Sequence, residues 1–261
     1  MQADTSWPPR RVTPWTHPDG RRLTGAGVTV GVIDSGWRSN PPDHRVGRGV
    51  VLTTPVPSDI CPEVGTDDSI GHGTMCTRLL LRVAPEVRVV PIKVFGRRLE
   101  TSIDELEQAV AWGASHELDL LSMSLGTHQE HARDRLYHAC FRALEKGTLI
   151  VAASSGAVPS YPAAFDVVIS AGAGDFHSDF EYAMQLDEKV ECLACAAWPT
   201  AADVQRGFTN SASFAAPRIA GLVALLLELR PGAGISEVRA ELLARASAPY
   251  TDSLIGDLPE S

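Results

Sequence analysis

Three short segments contain residue types that together could make a serine hydroxyl nucleophilic. In chain order they place Asp34 in GVTVGVIDSG, His72 in DSIGHGT and Ser213 in SASFAAP. A serine hydroxyl attacks well when an imidazole accepts its proton and a carboxylate holds that imidazole in the correct tautomer. These residues therefore predict acyl chemistry through a covalent intermediate on Ser213.

The first two segments suit the residues that they contain. Residues 27–34 form an apolar, β-branched run, which predicts a buried parallel strand with Asp34 at its carboxyl end. Open α/β sheets bind their ligands at that end. His72 lies between two glycines at the predicted start of a helix, and these small neighbours leave room for the imidazole and a substrate backbone.

The third segment predicts a long apolar helix that begins at Ser213 and runs to Leu229. Taken alone, Ser213 would be the N-cap residue of this helix. Pro217 is expected to be tolerated because it falls early, where its missing N–H would be unpaired in any case. Free N–H groups and the positive end of the helix dipole would then favour negative charge beside the Ser213 hydroxyl.

The elements that position these residues alternate along the chain. Strands are predicted at 27–34, 87–95, 118–125, 148–153, 167–171 and 190–193, and helices at 71–82, 102–116, 133–146, 213–229 and 236–246. Ser102 with Glu105 three residues later forms a capping-box pattern, and Gly147 ends the third helix. This alternation predicts the α/β class, with a mostly parallel central sheet and helices on both faces.

The chain length fits one main domain. We predict an irregular N-terminal arm lying on the surface at residues 1–25, the main domain at 26–247 and an acidic C-terminal tail at 248–261. The net charge of −9 argues against nucleic acid as a partner, because phosphate binding needs a basic surface. The longest apolar run, at 219–229, is too short to span a membrane, so no membrane association is expected.

Cysteine usage and the first residues bear on the cellular compartment. The five cysteines have no paired framework, which indicates reduced thiols in a cytoplasmic protein. Cys192 and Cys195 have the spacing of a redox or metal pair but lack a second pair, so we assign them a structural role. No apolar core of signal-peptide length occurs at the start of the chain, which also favours the cytoplasm.

A second group of residues could bind a metal. Residues 128–140 contain three histidines, two acidic residues and a cysteine, and His131 and His138 would share a helix face. A zinc site needs three or four convergent ligands in a closed shell. A polar surface helix explains this group better, so no metal is expected there.

With these segments in view, the chain resembles the catalytic domain of the subtilisin-like serine peptidases, the subtilases, from about residue 25 to 246. The order Asp, His, Ser is the subtilisin order. The strand that ends in Ser124, Leu125 and Gly126 matches a fourth family segment, and residues 161–173 match a fifth. The resemblance implies a subtilisin-like three-layer fold and a serine endopeptidase with Asp34, His72 and Ser213 as its triad.

The resemblance also implies where a peptide substrate binds. Ser124, Leu125 and Gly126 would pair with the substrate backbone as an added strand. The segment from Ala153 to Gly156 would form a wall of the pocket for the side chain before the cleaved bond, and Ser160 would lie near the floor of that pocket. A small residue at the floor suggests an open pocket without fixed charge, suited to an apolar or medium-sized side chain.

One departure from the family concerns the oxyanion, the negative oxygen that forms during attack. The family's oxyanion-binding Asn falls on Gly156 in this chain. Loss of that donor costs roughly 10²–10³ in turnover, a magnitude measured within this family. The backbone N–H of Ser213 would remain as a donor, and the hydroxyl of Ser154 or Ser155 could substitute.

Further departures follow the same family segments. Ser211, Ala212 and Phe214 surround the nucleophile in place of Gly, Thr and Met, and the usual histidines are replaced by Met75 and Arg218. The family's calcium-binding loops are not recognisable, so neither a metal nor a cofactor is expected. No pro-domain precedes Asp34 in this sequence. Three explanations are open: the chain folds unaided, a partner protein assists folding or delivers substrate, or a preceding segment has been trimmed.

The sequence therefore predicts a serine endopeptidase with a specific intracellular processing role, for which removal of a leader from a precursor peptide is one hypothesis. Two alternatives remain. The chain could be a pseudo-protease that binds an extended peptide or partner without cleavage, or it could transfer the acyl group to an amine as a ligase or cyclase.

Overall fold

A computed structural model describes residues 15–53, 66–154, 156, 158–185, 190–197 and 211–249. Strands and helices alternate through these residues. In chain order they are β1 (Thr29–Asp34), β2 (Val50–Val51), α1 (His72–Val83), β3 (Arg88–Lys93), α2 (Ile103–Ser115), β4 (Leu120–Met123), α3 (Arg133–Glu145), β5 (Leu149–Ala153), β6 (Ile169–Gly174), β7 (Tyr182–Met184), β8 (Cys192–Cys195), α4 (Ala212–Leu229), α5 (Ile235–Arg245) and β9 (Ala248–Pro249). A 3₁₀ turn, Glu130–Ala132, precedes α3.

The strands form one sheet in the order β2-β3-β1-β4-β5-β6-β8-β7-β9. Every pairing is parallel except that of β7 with β8. β1 lies between β3 and β4, with Asp34 opposite Lys93 and Ile33 opposite Met123. The predicted α/β class with a mostly parallel central sheet is confirmed.

Two apolar cores lie on opposite faces of the sheet. Val30 and Val32 of β1 pack with α1 and α4 in one core, whereas Ile33 packs with α2 and α3 in the other. This division follows from the strand geometry, in which successive side chains point to opposite faces. The protein is therefore a three-layer structure, with helices covering both faces of the sheet.

Helix α4 is longer than the apolar run considered in the sequence. It begins at Ala212 and has 18 residues, so by length and composition it could cross a membrane. However, 78% of it is buried inside the protein, where it contributes much of the core beside α1. Its apolar character is therefore explained by its place in the core.

The N-terminal arm differs from its prediction as an irregular surface segment. Within residues 15–25, Trp15 and Leu23 are buried in the core, and the Trp15 ring lies 6.2 Å from that of Tyr182. The Glu228 carboxylate at the end of α4 accepts hydrogen bonds from the N–H groups of Thr24 and Gly25, both at 2.7 Å. This part of the arm is fastened to the domain, and residues 1–14 lie outside the described residues.

The strands in the carboxyl-terminal half of the sheet also differ from the sequence prediction. The strand predicted at 190–193 runs from Cys192 to Cys195, and the short antiparallel strand β7 was not predicted. Residues 248–249, assigned to the tail, form β9 beside β7. Cys192 packs in the core beside α4, and Cys195 packs in a smaller apolar cluster with Phe176, because residues three apart on a strand point to opposite faces. They do not form a metal or redox pair.

Candidate active site

Asp34 and His72 meet where β1 ends and α1 begins. Nδ1 of His72 lies 2.8 Å and 2.9 Å from the two carboxylate oxygens of Asp34, and both side chains are buried. Because a carboxylate only accepts hydrogen bonds, Nδ1 carries the proton, which leaves Nε2 as the ring's acceptor. The Ser35 N–H donates to the same carboxylate at 2.7 Å. The carboxylate thus fixes the tautomer that a general base requires.

Gly73 allows helix α1 to approach strand β1 this closely. A Cβ at this position would overlap the Gly36 carbonyl and lie 3.1 Å from the Asp34 Cβ. This close approach also lets the Gly73 N–H donate a hydrogen bond to Ser35 Oγ at 2.9 Å. The glycine after His72 is therefore required by packing between the two elements that hold the Asp–His pair.

Asp68 supports the turn before His72, a role that the sequence analysis missed. Its carboxylate accepts from the N–H groups of Ile70, Gly71 and Thr74 and from the Thr74 hydroxyl, at 2.7–3.0 Å. Burial alone would raise the pKa of Asp68, but hydrogen bonds from Thr74 and Gly71 outweigh it and hold the pKa below its usual value. The signal was present, because an Asp side chain commonly accepts a hydrogen bond from the backbone N–H two residues later in a turn, as Asp68 does from Ile70.

Ser211, and not Ser213, caps helix α4. Ser211 has extended backbone angles, and its Oγ accepts a hydrogen bond from the Ser213 N–H at 3.2 Å. The sequence predicted that this helix begins at Ser213, which taken alone would be its N-cap residue, and that the Ser213 N–H would remain as an oxyanion donor. In the structure that N–H already has a partner, because the residue two positions earlier carries a hydroxyl.

Pro217 also differs from its predicted role. It is the sixth residue of α4, so its missing N–H removes the intrahelical bond that the Ser213 carbonyl would otherwise receive. Ser124 Oγ takes that place and donates to the Ser213 carbonyl at 2.8 Å. The proline therefore frees the main chain of the nucleophile to bind the end of β4.

Cys76 and Phe214 lie close to His72, beside the start of α4, where Ser213 lies. The Cys76 sulfur, one turn along α1, lies 3.8 Å from His72 Nδ1 and 3.6 Å from the Ser213 carbonyl oxygen. The Phe214 ring lies 5.9 Å from the His72 ring. Burial raises the pKa of the Cys76 thiol, so it is neutral near pH 7. Its helical spacing of four from His72 was the available signal.

The electrostatics of His72 follow from these neighbours. Burial alone would lower the pKa of His72, but the Cys76 sulfur and the Asp34 carboxylate outweigh burial and raise it above its usual value. Since the thiol is neutral near pH 7, the carboxylate is the charge that matters there. Asp34 therefore makes His72 a stronger base.

His72 and Ser213 open into one cleft of about 550 Å³. The predicted substrate-pairing residues Ser124, Leu125 and Gly126 form part of its lining. The remaining wall comes from the segment before α2, from α2 itself and from the residues after β4, namely Phe95, Leu99, Glu100, Thr101, Ser102, Ile103, Leu106, Thr127 and Gln129. The structure thus brings the predicted catalytic pair of His72 and Ser213 together with the predicted peptide-binding strand.

The residues predicted to form the side-chain pocket lie beyond Gly126. Ser160 is buried with its hydroxyl against Gly126, and Ala153 is buried at the end of β5. Ser154 and Ser160 line a separate cavity of about 710 Å³. Ser155 lies outside the described residues.

Gly156 has a left-handed backbone, with φ of 80°. Its N–H lies 3.3 Å from Ser154 Oγ. A Cβ added at Gly156 would lie 3.2 Å from the Val190 side chain, a close contact that a small movement could relieve. Gly156, on which the family's oxyanion-binding Asn falls, therefore has a backbone conformation that asparagine also adopts.

Arg218, where the family usually has His, fastens the nucleophile helix to the end of β8. Its buried guanidinium donates to the carbonyls of Phe214 and Cys195 at 2.9 Å and to that of Ala197 at 3.1 Å. Asp179 pairs with it at 2.8 Å. Histidine has too few donors for this set of acceptors.

The possible metal ligands at 128–140 are not arranged as their spacing in the sequence suggested. His131 lies in the 3₁₀ turn and His138 in α3, so they do not share one helix face. His128 contacts the Pro159 carbonyl at 2.9 Å. Within the described residues, the metal-ligating side chains that converge are Asp34, His72 and Cys76, and these belong to the cleft already described.

Comparison with known proteins adds to this geometry. A family model described as the subtilase family matches residues 25–257. Subtilisin Savinase from Lederbergia lenta is 29% identical over 255 residues, which are 90% of this chain and 89% of that protein.

Two solved structures have a similar fold. Sphericase is 21% identical with a TM-score of 0.69, covering 95% of this chain and 91% of its own. A structure described as a lanthipeptide protease is 18% identical with a TM-score of 0.64, covering 87% and 80%.

Proposed function

Because the chain belongs to the subtilase family and is a subtilisin-like serine endopeptidase, we propose that it cleaves extended peptide segments through an acyl-enzyme on Ser213. The observation that carries this proposal is the cleft lined by both Ser213 and His72, whose ring is hydrogen-bonded to Asp34. Asp34 orients the ring, His72 is the base and then the acid, and Ser213 is the nucleophile.

The proposed reaction has two steps, acylation of Ser213 and then hydrolysis of the resulting ester. Ser213 Oγ attacks the peptide carbonyl while its proton passes to His72 Nε2, and the tetrahedral intermediate then collapses as that proton moves to the leaving amine. The C–N bond breaks and an ester to Ser213 remains. Water repeats the sequence on the ester, which releases the acid and returns the proton to Ser213.

The cleft supports an extended substrate. Ser124, Leu125 and Gly126 follow β4 directly and line the same cleft as His72 and Ser213, so their backbone can pair with a peptide as an added strand. Backbone pairing requires an unfolded segment, since a folded substrate has its own backbone groups engaged. The substrate class is therefore a flexible segment of a peptide or protein.

Within this class, we favour a specific processing role in the cytoplasm, such as leader removal from a precursor peptide. The four described cysteines are buried and unpaired, which fits a reducing compartment. One protein of similar fold is described as a lanthipeptide protease and is thus named for a peptide, but at 18% identity the likeness concerns the fold.

Fluorophosphonate labelling of the purified protein tests the proposed nucleophile. Attack by Ser213 Oγ on phosphorus expels fluoride and leaves a stable adduct, which we expect in the wild type and not in Ser213→Ala. A wild type without Ser213-dependent labelling would contradict the proposal and support a peptide-binding pseudo-protease. Mass spectrometry of products from a peptide library then separates hydrolysis from transfer to an amine, because only transfer joins two peptides.

A further inference from the structure

The Ser211 hydroxyl accepts a hydrogen bond from a backbone N–H that could otherwise bind a negative oxygen. Its Oγ accepts the Ser213 N–H at 3.2 Å, and this N–H adjoins the nucleophile at the start of α4. An oxyanion formed by attack of Ser213 needs a donor at that position. Any oxygen that takes this N–H must therefore lie beside the Ser211 hydroxyl or displace it.

A hydroxyl can change from acceptor to donor without movement of the backbone. Rotation about Cβ–Oγ redirects its proton, and its lone pairs and O–H can serve different partners in different states. Hydrogen bonds from O–H to a charged oxygen are shorter and stronger than bonds between neutral groups. Formation of the oxyanion thus favours the donor orientation at Ser211.

We propose that Ser211 is a further catalytic residue, whose hydroxyl donates to the oxyanion together with the Ser213 N–H. In the free enzyme the same hydroxyl caps α4, as observed, and it exchanges roles when the tetrahedral intermediate forms. This assignment rests on the proposed function. It compensates for Gly156, which has no side-chain donor.

The rate of phosphonylation tests this assignment directly, because the tetrahedral phosphorus adduct places an oxygen in the same site. We expect Ser211→Ala and Ser211→Gly to lower the second-order rate constant for fluorophosphonate by about 10- to 100-fold. Ser211→Thr, which keeps the hydroxyl, should remain within about threefold of the wild type. Glycine is also a good helix N-cap, so this variant tests the hydroxyl with the helix start preserved.

Ser178→Ala is the matched control, because Ser178 Oγ also accepts the N–H two residues later, at 3.3 Å from Phe180, outside the cleft. It should leave the rate unchanged. If Ser211→Ala and Ser211→Gly react as fast as the wild type or faster, or if Ser211→Thr is as slow as they are, Ser211 is only a cap and the assignment is wrong. A wild type that is not labelled at all contradicts the proposed function itself.

Discussion

Ser124 and Ser213 hold each other by reciprocal contacts across 89 residues of sequence. Ser124 Oγ donates to the Ser213 carbonyl at 2.8 Å, while Ser213 Oγ lies 3.3 Å from the Ser124 carbonyl oxygen. The first contact exists because Pro217 withdraws the helical donor from that carbonyl. Ser213, the proposed nucleophile, is therefore positioned by the end of the strand that is also proposed to bind substrate.

Removal of the Ser124 hydroxyl should misplace the nucleophile. We expect Ser124→Ala to lower kcat by about 10-fold with little change in KM, because the backbone that would pair with substrate is retained, and to reduce the free energy of unfolding by about 1 kcal/mol. Steady-state kinetics and denaturant unfolding measure the two effects.

A double-mutant cycle with Pro217→Ala isolates the cause of that loss. This substitution restores an N–H that can bond to the Ser213 carbonyl, so Ser124→Ala should cost less in the Pro217→Ala background than in the wild type. Equal losses in the two backgrounds would show that the Ser124 hydroxyl acts elsewhere.

The pH dependence should follow from the raised pKa of His72. His72 must be neutral to accept the proton of Ser213, so activity should fall as the pH drops through the pKa of the ring. Because Asp34 raises that pKa, the midpoint of the acid limb of kcat/KM should lie above about 6.5. Asp34→Asn should move the midpoint lower and leave weak activity, whereas a wild-type midpoint below that of free histidine would contradict this account.

An asparagine at Gly156 should act most strongly when Ser211 lacks its hydroxyl. Asn tolerates a positive φ, so Gly156→Asn can supply an amide with modest backbone cost. We expect a small rise in turnover in the wild type and a larger rise in Ser211→Ala. Gly156→Ala, which adds strain without a donor, is the control and should bring no gain. An equal effect of Gly156→Asn in both backgrounds would mean that the two positions act independently.

Glu228 should make stability depend on pH. Burial alone would raise its pKa, but the N–H of Thr24, the Arg21 guanidinium and the N–H of Gly25 outweigh burial and lower it. A lowered pKa stabilises the fold above the unfolded-state pKa, and this stabilisation is lost as the pH falls through the folded-state pKa.

Glu228→Gln should therefore reduce the free energy of unfolding by about 1–2 kcal/mol at pH 7 and flatten its dependence between about pH 5 and pH 3. Glu86→Gln is the control, because the hydrogen bond that the described residues give to the Glu86 side chain is an exposed one from the Thr24 hydroxyl. That variant should change stability by less than about 0.5 kcal/mol. An unchanged pH profile in Glu228→Gln would show that the arm is held by its apolar contacts alone.

The predictable part of this protein is local in the sequence. The helix at Ile103–Ser115 begins with the predicted Ser102 capping box, and β1 ends at Asp34 as its apolar run indicated. β7 was not predicted because three residues are too few for a periodic pattern. The arm was assigned to the surface because residues 1–25 are rich in Pro, Trp, Arg and Gly. Only contacts with distant elements reveal that Trp15 and Leu23 are buried.

The sequence by itself determined the chemistry of the candidate site and the elements that carry it. Residue types at fitting places in the chain identify Asp34, His72 and Ser213, because each lies in a short segment with its own strand or helix signal. Only the tertiary structure decided how the nucleophile is held. The Ser124 bond to the Ser213 carbonyl joins groups that are distant in the chain, and the Ser211 bond depends on which residue begins α4. The spacing of these residues in the sequence predicts neither hydrogen bond. A side-chain hydroxyl can donate or accept, and its partner depends on which groups the folded elements bring within hydrogen-bond distance.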